Sequence, residues 1–454
     1  MTMEARPLKY IAEAAGGSIT YGDGGTFIHR VSTDSRSVEP EDLFLALKGD
    51  RFDGHDYIAQ ACKAGAAAVL VDRPVRAQCA VIEVEDTRAA LGRLAARYRR
   101  DYHLPVIGVA GSNGKTTTKE LLASILRRHL AAVWSEASFN NDIGVPLTLL
   151  RIENFHRAAV LELGTNHPGE LAPLVEMAAP NLGIITAIGR EHLEFFGDLE
   201  GVAREEGMLG ELLPAGGKLF LYGDSQWSKP IAARSAASVC TVGWESGNDW
   251  RAEDVRMLPD GVVFNSVGPV PGEFRLRLLG RHQVTNALLA LAVASELGVP
   301  VETARAGLAG CRPPRRRLQL CEIGGVRVLD DAYNANADSV NAALEVLSGL
   351  PCEGRRIAVI GPMAELGGDT FAAHEEAGRE AAAQGIDVLL AVGAEAGATV
   401  DAARAAGLEN AVALADNSAA GEALRECAQP GDVVLLKGSR AARLEEVGNY
   451  LKNR

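Results

Sequence analysis

Apolar and polar positions alternate along this chain as they do in proteins that pack helices over parallel sheets. In the first hundred residues, short apolar runs at 43–47 and 66–72 stand between polar, helix-like segments. An apolar run at 106–110 is followed by a glycine-rich loop and then by a helix-like run over 117–129. A buried strand, a loop and a helix in this order open a parallel sheet. The pattern therefore predicts an α/β fold.

Two breaks divide this pattern into three parts. The first, at 99–105, is charged and polar and ends in proline, and the second, at 311–317, combines two prolines with a basic cluster. Such segments are typical of linkers, and 454 residues suit about three domains. We predict domains at 1–102, 103–313 and 314–454, the third a doubly wound α/β unit. Further strands are predicted at 158–163 and 182–187 in the second domain, and at 326–329, 357–360, 388–392 and 433–436 in the third.

Composition and charge restrict the possible partners. The chain is 47% hydrophobic and 23% charged, as soluble globular proteins are, and its net charge of −13 disfavours nucleic acid and anionic membranes. The seven cysteines are scattered and never spaced as CxxC, which predicts reduced thiols rather than a disulfide framework or a zinc site. No basic segment with an apolar core opens the chain, and no apolar run approaches the length of about 18 residues typical of a membrane span. We expect a cytoplasmic protein without membrane insertion.

The clearest chemical signal is the loop after the strand at 106–110. It reads Gly111-Ser112-Asn113-Gly114-Lys115-Thr116-Thr117. Glycines let backbone N–H groups approach phosphate oxygens, the next helix adds partial positive charge, Lys115 can reach the β- and γ-phosphates, and Thr116 can bind Mg²⁺. A chance GKT in a glycine-rich turn is the alternative, but the flanking strand and helix favour a phosphate loop. Val109 stands where the usual motif has its first glycine, so the loop is a variant.

This loop and several other segments resemble the Mur ligases, cytoplasmic enzymes that assemble the peptide of bacterial peptidoglycan, and their folylpolyglutamate synthetase relatives. The resemblance implies three domains: a UDP-substrate domain, a central P-loop parallel-sheet ATPase domain, and a C-terminal doubly wound domain that closes on ATP. It extends over nearly the whole length. The matching segments are STDSR (32–36), SFNNDIGVP (138–146), ELGTNHPGE (162–170), GREHLEFFG (189–197), GRHQVTNA (280–287), DDAYNAN (330–336), MAELG (363–367) and KGSR (437–440).

The resemblance implies ATP contacts beyond the phosphate loop. Asn286 would lie near the base, Arg317 would reach the phosphates when the third domain closes, and Asp331 would hold the ribose. The residues alone leave other possibilities open, because Asn286 could cap a helix and Arg317 could belong to a solvated basic patch.

The resemblance also implies a Mg²⁺ site and a catalytic group. Glu162 ends a strand that faces the phosphate loop, and a carboxylate there can hold Mg²⁺ with Thr116. His192 resembles the family's metal-binding histidine, although the residue alone is more typical of a structural histidine. Lys115, Glu162 and His192 are therefore the expected catalytic residues.

The substrates follow from the branch that the motifs resemble. DDAYNAN is the form found in the branch that adds D-alanyl-D-alanine to UDP-MurNAc-tripeptide through an acyl-phosphate. The adjacent Asn140 and Asn141 could by themselves form a turn, as an Asn-Asn pair often does. A ligase of this fold that adds one amino acid or glutamate stays open, whereas a GTPase would need an NKxD element, which does not occur. We expect a monomer. Substrate contacts are implied for Ser32, Asp34, Ser35 and Arg36 with UDP, for Asn140 and Asn141, and for Tyr333, Asn334, Asn336, Lys437 and Ser439.

Two positions depart from the family. Pro362 stands where the branch usually has aspartate, and Glu206 stands where the family has a lysine that CO₂ carbamoylates to help hold a second Mg²⁺. A helix over 198–213 would place Glu206 on its apolar face, where a carboxylate needs a partner. We predict that Glu206 supplies this carboxylate directly, as a catalytic and metal-binding residue. The alternatives are a rim glutamate paired with an arginine, or Glu205 in the same role.

Overall fold

A computed structural model describes residues 2–49 and 51–453. Its strands form one two-stranded sheet and larger sheets of five, nine and six strands. Each larger sheet lies within one of the three predicted ranges, while the exact domain boundaries stay predictions. The predicted α/β class is confirmed.

The first unit is a small α/β layer. Its larger sheet has the order β2-β7-β6-β5-β4, parallel except for the antiparallel edge strand β2, and β1 pairs with β3. The strands and helices are β1 (Arg6–Pro7), α1 (Leu8–Ala15), β2 (Ser18–Tyr21), β3 (Phe27–Ile28), β4 (Arg30–Ser32), β5 (Asp42–Leu45), a 3₁₀ turn (Gly54–Tyr57), α2 (Ile58–Ala64), β6 (Ala68–Val71), β7 (Ala80–Glu83) and α3 (Thr87–Arg99).

The central unit carries the nine-stranded sheet. Its order is β16-β15-β14-β13-β12-β11-β8-β10-β9, parallel from β9 to β14 and antiparallel beyond. Its strands are β8 (Val106–Ala110), β9 (Ala132–Trp134), β10 (Ala158–Glu162), β11 (Leu182–Ile185), β12 (Lys218–Tyr222), β13 (Ser238–Gly243), β14 (Trp250–Leu258), β15 (Gly261–Val267) and β16 (Gly272–Leu276). Its helices are α4 (Lys115–Leu126), α5 (Gly144–Leu149), α6 (Leu171–Ala178), α7 (Leu193–Phe196), α8 (Leu199–Glu206), α9 (Met208–Glu211), α10 (Ser228–Arg234), α11 (His282–Glu296) and α12 (Val301–Gly310).

The strand order of the central sheet positions the site. β8 lies between β10 and β11, and all three run parallel. Their carboxyl ends therefore meet at one edge, where open α/β sheets bind ligands. The phosphate loop, Glu162 and the segment 187–192 follow these three strands, so the topology alone brings them together.

The helix predicted over 198–213 is instead two helices, α8 and α9, which meet at Gly207. Glycine has low helix propensity, and at this point the guanidinium of Arg234 donates to the carbonyl oxygen of Arg204 at 3.1 Å. That long-range contact could not be predicted from the apolar spacing of the segment.

The third unit is doubly wound, as predicted. Its sheet has the order β17-β18-β22-β19-β20-β21, with only the edge strand β17 antiparallel. Buried side chains fill both faces, one under α13–α15 and the other under α16 and the C-terminal 3₁₀ segment. The elements are β17 (Gln319–Ile323), β18 (Val326–Asp331), α13 (Ala337–Gly349), β19 (Arg356–Ile360), α14 (Thr370–Ala383), β20 (Val388–Val392), α15 (Ala396–Ala405), β21 (Ala411–Leu414), α16 (Asn417–Cys427), β22 (Val433–Lys437) and 3₁₀ segments at Gly367–Asp369, Arg440–Ala442 and Leu444–Asn453.

The first two units share one hydrophobic core. Leu91 and Tyr98 of α3 belong to the same buried cluster as Leu149 of α5 and Leu174 of α6. The other face of the central sheet packs under α4, α11 and α12. Within residues 2–49 and 51–453, no helix is long and apolar enough to cross a membrane.

Candidate active site

A cleft of about 1160 Å³ lies at the carboxyl edge of the central sheet, between that sheet and the third unit. All three units contribute to its walls: Arg88 from α3, the phosphate loop and Asn140 from the central unit, and Tyr333 from the third. Most of the predicted site residues line this one cleft.

The backbone of the phosphate loop requires its glycines. Gly111 and Gly114 have φ of 112° and 96°, in the left-handed region that favours glycine. A Cβ on Gly111 would lie 2.3 Å from Thr186 Oγ1, and one on Gly114 would lie 2.4 Å from Asn286 Oδ1. The next helix begins at Lys115, and N–H groups in a first helical turn have no intrahelical acceptor. Because the N–H groups of residues 111–113 donate to Glu206 and to the carbonyl oxygen of Ala187, the loop presents the N-terminus of this helix to an anion.

The Lys115 ammonium group is bound to its own loop. It donates to the carbonyl oxygens of Gly111 and Ser112, the latter at 3.1 Å, and to Glu191 Oε2 at 3.3 Å. Burial opposes the charge on Lys115, but Glu191, Glu206 and Glu162 outweigh it and raise its pKa. The lysine therefore stays charged and can exchange these acceptors for phosphate oxygens.

Glu162 and Thr116 form a donor set suited to a hard cation. Glu162 Oε1 accepts from Thr116 Oγ1 and from Asn140 Nδ2, both at 3.1 Å. Glu162 Oε2 is buried and has no hydrogen-bond partner in the part of the chain that the structure describes, although Lys119 Nζ lies 3.3 Å away. An under-satisfied carboxylate beside a hydroxyl fits Mg²⁺, which prefers oxygen ligands.

The two asparagines of the predicted pair have different surroundings. The Nδ2 of Asn140 reaches Glu162, as described above. Asn141 Oδ1 accepts from the backbone N–H groups of Ile143 and Gly144, at 3.2 and 2.9 Å. Asn141 thus makes the turn interaction that the sequence left open, while its side chain also lines the cleft.

His192 is turned toward the third unit. Its Nδ1 contacts Glu365 Oε2, and its Nε2 lies 3.5 Å from Glu191 Oε1. Burial lowers the pKa of His192, but Glu191 and Glu365 outweigh burial and the net shift is upward.

Glu206 faces inward, as predicted. The side chain is buried, and Oε2 accepts the backbone N–H of Gly111 at 2.6 Å. Burial raises the pKa of Glu206 to about 7, against the opposing effect of Lys115 and of the Gly111 N–H. The alternative of a rim glutamate paired with an arginine is wrong.

Glu205 has another role. It accepts from the backbone N–H groups of Gly169 and Leu171, both at 2.8 Å, and so supports the loop that precedes α6.

The predicted metal ligands do not form one cluster. Over residues 2–49 and 51–453, no group of three or more His, Cys, Asp or Glu side chains is arranged to hold a metal ion. Glu162 interacts with Thr116, His192 with Glu365, and Glu206 with Gly111. As arranged here, Thr116 and Glu162 form one pair, and His192 and Glu206 lie apart from it.

The third unit contributes an interlinked set of polar groups. Asp331 Oδ2 lies 2.7 Å from Lys437 Nζ, which donates to the carbonyl oxygen of Asn334 at 2.7 Å. The Arg317 guanidinium lies 4.2 Å from the centroid of the Tyr333 ring. All five line the cleft.

Asn336 joins this set to the phosphate loop. Its Nδ2 donates to Asn113 Oδ1 at 3.1 Å. Ser439 is buried and does not line the cleft, and its backbone N–H donates to the carbonyl oxygen of Pro362 at 2.9 Å.

Asn286 packs directly against the phosphate loop. It lies within α11, so the helix-cap alternative is wrong. Its Oδ1 accepts from Thr118 Oγ1 at 3.2 Å, and its Nδ2 donates to Gln283 Oε1 at 2.9 Å. Neighbouring His282 is exposed along the cleft wall, and desolvation by the surrounding protein lowers the pKa of its imidazole.

Comparisons with known proteins agree with this geometry. Residues 27–99 match the Mur ligase family, catalytic domain; residues 109–294 match the Mur ligase middle domain; and residues 316–440 match the Mur ligase, glutamate ligase domain. The UDP-N-acetylmuramoyl-tripeptide--D-alanyl-D-alanine ligase of Escherichia coli (strain K12) is 38% identical over 432 residues, covering 93% of each chain. The chain belongs to the Mur ligase family.

Solved Mur ligase structures share the fold. MurF from Acinetobacter baumannii has a TM-score of 0.93 at 32% identity and covers 100% of both chains. The MurF ligase from Thermotoga maritima in complex with ADP has a TM-score of 0.81 at 27% identity, covering 93% of this chain and 97% of that chain. The predicted three-domain Mur ligase architecture is confirmed.

In this Mur ligase, the residues predicted to bind UDP lie outside the main cleft. Ser32 and Asp34 line a second cavity of about 220 Å³ beside Leu147 and Arg151 of the central unit, whereas Ser35 and Arg36 do not line it. The Arg36 guanidinium donates to Asp34 and lowers the pKa of that carboxyl to about 2. The hydroxyl of Ser35 donates to Gln60 Oε1 at 3.3 Å.

Sequence reasoning missed several polar residues of the Mur ligase cleft. Glu191, the counterion of Lys115, lies directly before His192, and this carboxylate after a parallel strand was the available signal. Burial raises the pKa of Glu191, but Lys115 and His192 outweigh burial and the net shift is downward. Arg281 lies over the Trp244 ring, 4.4 Å from its centroid, and both line the cleft near α11. Their contact joins distant segments and left no pattern in the sequence.

Proposed function

We propose that this Mur ligase uses ATP to join D-alanyl-D-alanine to UDP-MurNAc-tripeptide, forming UDP-MurNAc-pentapeptide for peptidoglycan synthesis. The observation that carries the proposal is the hydrogen bond between Asn336 and Asn113. It places the DDAYNAN segment, 330–336, against the phosphate loop, so that an amine bound beside this segment would face the phosphoryl group. The name of the Escherichia coli relative and the ADP in the Thermotoga maritima structure support the same activity.

The first chemical step is phosphoryl transfer. The terminal carboxylate of the tripeptide attacks the γ-phosphorus of ATP, the bond to the β-phosphate oxygen breaks, and ADP leaves. The protein contributes positioning and charge neutralisation, because the charge in this transition state sits on the phosphoryl oxygens. Lys115 exchanges its loop carbonyls and Glu191 for those oxygens, while the N-terminus of α4 receives the phosphates.

The second step forms the amide. The amino group of D-alanyl-D-alanine attacks the acyl-phosphate carbon, inorganic phosphate leaves, and the nitrogen loses a proton. Water would hydrolyse the acyl-phosphate, so the third unit must cover the cleft during this step. We assign the incoming dipeptide to Tyr333, Asn334, Asn336 and Lys437, with Ser439 acting only through the backbone of its loop.

Mg²⁺ belongs to this proposal. Thr116 and Glu162 would hold it, and a bound Mg²⁺ supplies positive charge to the phosphate oxygens. Glu206 adds a second carboxylate near the loop. His192 would join through Nε2 while its Nδ1 stays on Glu365, because a metal-bound imidazole commonly donates its other ring N–H to a carboxylate.

Several further assignments are part of the same proposal. Asn286 is assigned to bind the base region of ATP, Asp331 is assigned to the ribose, and Arg317 is assigned to the phosphates. The UDP moiety is assigned to Ser32, Asp34, Ser35 and Arg36. We place the enzyme in the cytoplasm as a monomer.

A phosphate-release assay tests the proposal. Purified enzyme receives ATP, Mg²⁺, UDP-MurNAc-tripeptide ending in lysine or in diaminopimelate, and one amine from a panel of amino acids and dipeptides. We expect sustained phosphate release only with D-alanyl-D-alanine, and a product whose mass is that of the pentapeptide. Faster release with a single amino acid, such as lysine or D-glutamate, would overturn the assignment in favour of another Mur-type ligase. Reactions without amine are the control for uncoupled ATP hydrolysis.

A further inference from the structure

Lys119 is a fully buried lysine for which the proposed reaction has no role. It lies one helical turn after Lys115 on α4 and has 0% relative exposure. Lysine is almost never fully buried unless its charge is paired. Its position beside the candidate Mg²⁺ site therefore calls for an explanation.

The Lys119 ammonium group joins three segments. It donates to the carbonyl oxygen of Ala137, lies 3.1 Å from Glu120 Oε1 and lies 3.3 Å from Glu162 Oε2. The contact with Glu162 is made to the oxygen that has no hydrogen-bond partner among the described residues. Ala137 has a φ of 46°, a left-handed conformation that alanine rarely adopts and that persists only when its surroundings enforce it.

Ala137 belongs to the segment 135–143, here called the substrate loop, which carries Asn140 and Asn141. The loop meets the end of β10 at several points. Ser135 Oγ accepts the backbone N–H of Glu162 at 3.1 Å, Asn140 Nδ2 donates to Glu162 Oε1 at 3.1 Å, and the Asn140 carbonyl accepts the N–H of Gly164 at 2.9 Å. Lys119 adds a contact that reaches this loop from α4, here called the phosphate helix.

We propose that Lys119 is a positioning residue that couples the phosphate helix to the substrate loop. Its ammonium group holds the strained Ala137 turn and the Glu162 carboxylate in one arrangement, so that the tripeptide carboxylate bound by the loop faces the γ-phosphate. The inference rests on the proposed function for its substrate, whereas the coupling itself is a property of the fold. A buried ion pair that only stabilises the helix is the alternative.

Matched variants separate these two roles. Lys119→Met keeps an unbranched side chain and removes the charge and the donors, while Lys119→Arg keeps the charge. Ser124→Ala is the control, because Ser124 is buried on the same helix and its hydroxyl donates to the carbonyl oxygen of Gly307 at 2.8 Å, away from the substrate loop.

Hydrogen exchange tests the coupling without catalysis. In Lys119→Met, amide exchange in 136–143 and at Gly164 should be faster than in the wild type by about tenfold, because the loop opens more often. The dissociation constant for ADP measured without metal should stay within about twofold, because Lys119 makes no contact expected with the nucleotide. Ser124→Ala should lower the melting temperature and leave exchange in the loop unchanged.

Kinetics test the consequence for the reaction. In Lys119→Met, kcat should fall by about 100-fold, since a misplacement of about 1 Å is sufficient for such a loss. KM for UDP-MurNAc-tripeptide should rise while KM for ATP changes little, and Lys119→Arg should recover part of kcat. Loop exchange and KM equal to those of the wild type, with only the melting temperature lowered, would overturn the proposal.

Lys119→Gln provides the test if the methionine variant does not fold. It keeps a donor for Ala137 and loses the ion pair with Glu162, so kcat should fall by about tenfold. Wild-type exchange and kinetics in this variant would contradict the coupling. If the phosphate-release assay shows no preference for D-alanyl-D-alanine while hydrogen exchange in Lys119→Met changes as expected, the proposed function is contradicted and the coupling stands.

Discussion

Lys115 donates to its own loop and to Glu191, and the proposed function requires its charged ammonium group to exchange these acceptors for the phosphates of ATP. We expect Lys115→Ala to reduce phosphate release by about 1000-fold, because the phosphoryl oxygens lose their cation. Binding of UDP-MurNAc-tripeptide should persist in calorimetry, since that substrate is assigned to other residues. An equal loss of phosphate release and of UDP-MurNAc-tripeptide binding would contradict the assignment of ATP and this substrate to separate sites. Lys218→Ala is the control, because Lys218 pairs with Glu296 at 2.7 Å far from the loop.

Glu206 provides the second residue-scale prediction. Glu206→Gln keeps the size of the side chain and removes its charge, so kcat should fall and the Mg²⁺ concentration needed for half-maximal rate should rise. The wild-type enzyme should work equally well in CO₂-depleted buffer, because no lysine occurs between Lys119 and Lys218 to be carbamoylated. Normal Mg²⁺ dependence in the glutamine variant would exclude the metal-binding role. Glu205→Gln should instead loosen the loop before α6.

The pH dependence of stability follows from the same carboxyl. Burial raises the pKa of Glu206 in the folded protein to about 7, above its ordinary value. Its protonated form therefore favours the fold at low pH, and this contribution is lost as the pH rises through about 7. In thermal melts without Mg²⁺, Glu206→Gln should gain stability relative to the wild type between pH 5 and pH 8. A constant difference over that range would contradict the shifted pKa.

At the scale of elements, the sequence pattern predicted those strands, loops and helices whose signal lies in consecutive residues of the chain. Strands such as β8 and β22 are buried on both faces, so they read as continuous apolar runs. The phosphate loop was predictable because its glycines and the helix after it are neighbours in the chain. The break at Gly207 and the pairing of His192 with Glu365 could not be predicted, because their partners are distant in sequence.

Helix α3 shows how an element can join two units. The hydroxyl of Tyr98 donates to the carbonyl oxygen of Ile152 at 2.6 Å and accepts from the backbone N–H of Glu4 at 2.8 Å. Tyr98→Phe removes the partner of the buried Ile152 carbonyl and of the partly buried Glu4 N–H, at a cost of about 1–3 kcal/mol each at most. We expect a lower melting temperature with nearly unchanged KM for ATP. Tyr21→Phe, at an exposed position, is the control, and equal melting temperatures for wild type and Tyr98→Phe would contradict the prediction.

At the scale of the whole molecule, the contact between the first and central units differs in kind from the contact between the central and third units. The first and central units share one hydrophobic core, whereas Arg190 after β11 holds the third unit by charged groups. Its guanidinium donates to Asp338 Oδ1 at 2.7 and 2.9 Å and to Glu376 at 2.6 and 2.9 Å, and its backbone N–H donates to Asp338 Oδ2 at 2.7 Å. These partners raise the pKa of Arg190 against the effect of burial. Leu279, between β16 and α11, also packs in the core of the third unit, so opening would expose this leucine as well as the polar contact.

Arg190→Ala should therefore shift the molecule toward an open arrangement. Each hydrogen bond to a charged group contributes about 1.5–3 kcal/mol, so losing several should separate the third unit from the cleft. Without substrates, small-angle X-ray scattering should show a larger radius of gyration, and high salt should move the wild type in the same direction. KM for ATP should rise and kcat should fall, because the acyl-phosphate is less protected from water. Arg256→Ala is the control, since Arg256 pairs with Glu273 and both side chains are exposed on the central unit. An unchanged radius together with unchanged kcat would show that Arg190 does not hold the closed arrangement.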